Sequence, residues 1–154
     1  MISNTLAFKR GLAEFRDNLI AGLVEEYKNK AVRVEMLTEC SPEEGSTEHG
    51  LLCEALGYVQ TIKKFAIAVS LSKKTSKQDI LEDLFPLKAE ISGLLQKYDK
   101  ENPDGSDSPD RMMLAGAEKA AVFATELAKK LIKRGGFVTV KEERKARGNE
   151  IREE

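Results

Sequence analysis

Three side chains could support nucleophilic or zinc chemistry at close spacing: Cys40, His49 and Cys53. His49 and Cys53 are four residues apart and share a face if that turn is helical. Cys40 nearby could supply a third zinc ligand. Structural zinc sites, however, use paired Cys-x-x-Cys or His-x-x-x-His spacings, and neither is present. His49 is the sole histidine, so paired Glu-x-x-His di-iron sites cannot be assembled within one chain. A Cys–His nucleophile would have to use this one residue, which sits in an acidic segment between Gly45 and Gly50. The expectation is a surface histidine and two ordinary helical cysteines, with no catalytic residue, no cofactor and no metal.

Carboxylates offer a second route. A metal-dependent all-α hydrolase would need oxygen ligands converging inside the bundle. The available sets are Glu14/Asp17, Glu25/Glu26 and Asp79/Glu82/Asp83. They lie beside or opposite the apolar stripes, and no repeated Glu-x-x-Glu pattern links them, so a solvated charged face is expected. Neither Gly-x-x-x-x-Gly-Lys-Ser/Thr nor Gly-x-Gly-x-x-Gly occurs. Gly135-Gly136 follows a helical segment instead of preceding one, so it lacks the N-terminal amides that bind phosphate.

The charge distribution is more telling than the net charge of −1. From Glu35 to Glu54 every charged residue is acidic, including Glu39, Glu43, Glu44 and Glu48. The far end is basic: Lys129, Lys130, Lys133, Arg134, Lys141, Arg144, Lys145 and Arg147 outnumber Glu142 and Glu143. These two regions are the candidate partner-binding residues. The basic end could contact nucleic acid phosphates, or pair with the acidic link within one molecule or between two. Cations near a helix C-terminus are also what the helix dipole favours. Aromatic stacking residues and a helix-turn-helix are missing, which weighs against nucleic acid.

The elements that must position these residues are helices. The 154 residues fit one domain, expected over residues 1–140 with a charged tail at 141–154. Charged residues reach 33% and tryptophan is absent, a balance favouring helix over strand. Asn4 to Thr38 contains no proline, and Phe8, Leu12, Phe15 and Leu19 recur at helical spacing. Gly22 marks a plausible kink there. A second segment is clearest from Gly50 to Ser72. A third begins near Ser76, where Asp79 completes a loose capping box, and Pro86 is expected to interrupt or kink it. Residues 99–108, rich in turn formers, are expected to be a loop.

Ser108-Pro109 then opens a fourth helix to about Arg134, with Met113, Ala117, Ala120, Ala124, Leu127 and Leu131 inside. Ser41-Pro42 shares this grammar but opens onto Gly45 and Gly50 in an acidic run, so its helix is expected to begin again several residues later. Gly135-Gly136 is a natural C-cap, and Phe137 to Val140 a short extended piece. Ile2, Val32, Met36, Ile67 and Phe137 lie off or at the edges of the stripes.

The fold class that follows is all-α: an antiparallel four-helix bundle with a long first helix, a Pro86-kinked third helix and a charged tail. Two cysteines are too few for a disulfide-stapled fold, and no apolar stretch is long enough to span a bilayer. A reducing cytoplasm is the expected location. The leading expectation is a non-enzymatic protein–protein interaction module, a helical regulator, adaptor or inhibitor. Its overlong first segment points to a homodimer. The alternatives are a nucleic-acid-associated regulator and a metal-dependent all-α hydrolase.

Overall fold

The computed structural model describes residues 2–104 and 108–134, with side chains from Gly11 onward. Four helices account for nearly all of them: α1 (Ile2–Glu39), α2 (Thr47–Leu71), α3 (Lys77–Glu101) and α4 (Pro109–Lys133). No strand occurs among the described residues. The helices pack against one another as a four-helix bundle. The tail at 141–154, the Gly135-Gly136 cap and the Phe137–Val140 piece lie outside the described residues.

Each of the last three helices opens on a serine cap. Ser46 Oγ accepts from the His49 amide at 3.1 Å, Ser76 Oγ from Asp79 at 3.1 Å and Ser108 Oγ from Arg111 at 3.3 Å. Each bond satisfies an N–H that the first helical turn leaves without a partner. Pro109 takes the first helical position, as Ser108-Pro109 predicts. α2 begins at Thr47, several residues beyond Ser41-Pro42 and past Gly45 of the acidic link. Ser41 instead adopts φ +45° and its N–H donates to the Thr38 carbonyl at 3.0 Å, closing the end of α1. Proline just past a left-handed residue is a stop signal, since it cannot continue the helix.

Neither Gly22 nor Pro86 divides its helix. α1 runs unbroken past Gly22, and α3 continues through Pro86 as one helix in place of two pieces. Pro86 removes one backbone bond, but Pro86 and the preceding-turn Glu82 are both exposed, so the bond is lost on a face open to water. Leu84 just before it is fully buried, and Leu87 and Ile91 just after it pack on the core, anchoring both sides.

The core joins Phe15, Leu19 and Leu23 of α1 to Ile62, Phe65 and Val69 of α2 and to Ile80 and Leu84 of α3. α4 contributes Ala120, Ala121, Ala124 and Ala128, all fully buried, and touches all three other helices. The small side chains explain its central place: they let neighbours come close on every side. Thr125, also fully buried, satisfies its hydroxyl by donating to the Ala121 carbonyl at 3.0 Å.

The closest approach is between α2 and α4. A Cβ on Gly57 would overlap the Met113 carbonyl group, lying 2.8 Å from its carbon. Reciprocally, a Cβ on Gly116 would overlap the Glu54 carbonyl, 2.8 Å from its carbon. Each glycine thus sits on the partner's backbone, the spacing at which Cα–H···O contacts form between helices. Both helices start at the same end, with Gly50 against Met112 near one end and the glycine pair following. α1 runs antiparallel to α2, and Arg16 near its start donates to the Lys74 carbonyl in the α2–α3 turn at 2.9 Å.

Candidate functional site

The α1–α2 seam differs from the glycine contact. It is closed by side chains and leaves a depression on each of its two sides. Tyr58 of α2 stands at the centre of the polar side. Its hydroxyl donates to Glu26 Oε1 at 3.1 Å, while Lys30 Nζ lies 5.3 Å above its ring and 4.0 Å from Glu26. Burial, followed by the Glu26 charge and its hydrogen bond, pushes the Tyr58 phenol well above the ordinary tyrosine range. It therefore stays a donor at any physiological pH. Beside it a cleft of about 210 Å³ opens between α1, α2 and α4. Lys30 and Arg33 line it from α1, and Lys119 from α4 is held at 2.6 Å by Glu54.

The other side of the seam is an apolar groove of about 400 Å³. Ile20, Val24 and Tyr27 of α1 face Ala66 and Ile67 of α2, with Lys28 and Lys63 at the rim. Val24 is 37% and Ile67 47% exposed, high for side chains of that size beside a core. Ile67 was legible as an edge residue in the sequence. Tyr27 belongs to the apolar stripe that continues past Gly22, while Ile20 and Val24 lie beside it, and their spacing of four and three marks one helix face. Val32 and Met36 are exposed further along α1, outside the groove.

The chemistry-bearing trio does not form a site. Cys53 Sγ is 3.8 Å from His49 Nδ1, so the shared helical face is real. Yet burial, then the charges of Asp110 and Glu44, push the Cys53 thiol up, opposite to what a nucleophile requires. Cys40 is exposed in the link, and neither cysteine is in a disulfide. No group of three or more His, Cys, Asp or Glu among the described residues could hold a metal ion. Glu14, Asp17, Glu25, Asp79, Glu82 and Asp83 face solvent, with Asp83 3.9 Å from Lys74. Among the described residues, no helix is long and apolar enough to cross a membrane.

The candidate partner-binding residues are placed at opposite ends. Glu39 ends α1, Glu43 and Glu44 lie in the link, and Glu48 sits in the first turn of α2, with a hollow of about 340 Å³ beside Cys40 and Pro42. Lys129, Lys130, Lys133 and Arg134 occupy the last turns and the C-cap of α4. Because α2 and α4 start together, some 30–40 Å of helix separates the two groups at 1.5 Å per residue. Pairing between these groups within one molecule is thereby excluded for the described residues. Lys129 is engaged locally, 3.4 Å from Glu126 and 5.6 Å over the Phe85 ring. Lys141, Arg144, Lys145 and Arg147 lie outside the described residues.

No protein-family model matches this chain, and neither a curated protein nor a solved structure matches it.

Proposed function

We propose that this protein is a non-enzymatic protein–protein interaction module that works as a homodimer, joined through the apolar α1–α2 groove. The observation that carries the reading is the self-complementarity of the outer face of α1 about Gly22. Two antiparallel copies related by a two-fold axis there set Ile20 of each against Val24 of the other, and Ala13 against Ala31. Exposed Asp17 then falls near exposed Lys28 of the second copy, on both sides of the axis.

α1 supports this reading by its length, 38 residues against 25 for each other helix. At 1.5 Å per residue that is an excess of about 20 Å which its own bundle does not match. Two free cysteines suit a reducing compartment such as the cytoplasm. The dimer leaves its helix faces to engage a macromolecular partner as a regulator or adaptor.

Sedimentation velocity at micromolar concentrations tests the proposal. The expected result is a dimer for the native protein that weakens as salt rises. Val24→Glu and Ile67→Glu should each give a monomer with native helix content and melting temperature, since both side chains are already partly exposed. A monomeric native protein at tens of micromolar overturns the reading. So does salt-sensitive retention on nucleic acid by a monomer, which would return the basic end to its other role.

A further inference from the structure

The polar cleft on the opposite side of the α1–α2 seam is a second site, independent of the dimer reading. Lys30, Arg33 and Lys119 converge on it from two helices, and Glu54 is the one carboxylate in its lining. Two of the cations are already steadied. Lys30 rests over the Tyr58 ring beside Glu26, and Lys119 is tied to Glu54. Arg33 has no ion pair among the described residues. Leu51 and Ala55 give the floor an apolar part, which lowers the competition from water.

We infer that this cleft binds a phosphate dianion, either free phosphate or the end of a phosphate monoester. The lining carries three positive charges and one negative, and at neutral pH a phosphate monoester brings close to two negative charges. The guanidinium of Arg33 offers the planar fork that fits two phosphate oxygens, and the ammonium groups act as point charges on the remaining oxygen. A cleft of about 210 Å³ has room for the phosphate group and a few attached atoms. An internal phosphodiester of RNA carries a single negative charge and cannot turn a terminal oxygen inward, so nucleic acid backbone fits this cleft less well.

Amide shift titrations at constant ionic strength test the assignment, with inorganic phosphate, glycerol phosphate, acetate and an RNA oligonucleotide lacking terminal phosphates as probes. The expected result is saturable shifts at Lys30, Arg33, Leu51, Tyr58 and Lys119 with the first two probes only. Tighter binding of glycerol phosphate assigns an organic monoester, and tighter binding of inorganic phosphate the free ion. Arg33→Gln, at an exposed position where folding is unaffected, should weaken binding roughly tenfold or more. Glu54→Gln should tighten it several-fold, because it removes the carboxylate of the cleft lining and frees Lys119. Loss of folding cannot mimic that gain. Shifts that acetate or the RNA reproduces at equal concentration overturn the assignment, as do an unchanged Arg33→Gln or a weakened Glu54→Gln.

Discussion

α2 has two neighbours and meets them in different ways. Against α4 it is joined backbone to backbone, with Gly57 and Gly116 each seated on the other helix's carbonyl. Against α1 it is joined through side chains, with Tyr58 bridging to Glu26 on one side and the Ile20–Ile67 groove open on the other. A backbone contact leaves no volume for a ligand and tolerates no added atom. A side-chain contact leaves hollows at its edges, and those hollows carry both proposed sites. In this bundle the tight seam holds the fold and the looser one holds both surfaces proposed for binding.

The contrast is broken most sharply at the glycines. Gly57→Ala and Gly116→Ala must each push α2 and α4 apart, and should lose about 1–3 kcal/mol despite the better helix propensity of alanine. Urea unfolding should show a lower midpoint at an unchanged slope. Equal stability in both variants would mean that the helices do not touch there.

The bridge in the looser seam should matter less. Tyr58→Phe leaves Glu26 short of a donor at a half-buried position, a loss of about 1 kcal/mol. The Tyr58 phenol also gives a pH signature. Its pKa is raised on folding, so the unfolded chain releases that proton first. The associated stability is full below about pH 10, the ordinary tyrosine value, and is lost as pH rises beyond it. Tyrosinate absorbance should show one of the three tyrosines ionising late, in step with alkaline unfolding, and Tyr58→Phe should remove that component.

Glycines that do not face backbone set the lower end of the scale. At Gly22 a new Cβ would meet only the tip of Leu127, 2.7 Å from Cδ2, and that side chain can rotate away. Gly93 has nothing within 4 Å. Gly22→Ala should stay within about 1 kcal/mol of the native protein, and Gly93→Ala should stabilise by roughly 0.5–1 kcal/mol through helix propensity alone. Destabilisation of Gly93→Ala in urea would contradict the exposed placement of that face.

The sequence made the helix boundaries legible where the signal is local. Ser76 with Asp79, and Ser108 with Arg111, each place a cap oxygen and the N–H that donates to it three residues apart. Ser41-Pro42 carries the dipeptide of a helix start but stops α1, because its serine is left-handed, and φ is not written in residue identity. Pro86 does not divide α3, since the cost of an internal proline depends on whether the freed carbonyl reaches water. The alanine stripe of α4 announced close packing, but the pairing of Gly57 with Gly116 spans two helices and could not be read from either alone. Likewise Lys30, Arg33 and Lys119 look like ordinary surface charges until folding gathers them at one cleft.

The central claim is that the α1–α2 groove is the surface where two copies meet. The most direct measurement is an isotope-filtered nuclear Overhauser experiment on a mixed sample of labelled and unlabelled chains. Contacts between chains should appear from Ile20, Val24 and Ile67 methyl groups, with Ile20 of one copy close to Val24 of the other. Contacts confined to a different face, such as Val32 and Met36, or none at concentrations of hundreds of micromolar, would contradict it.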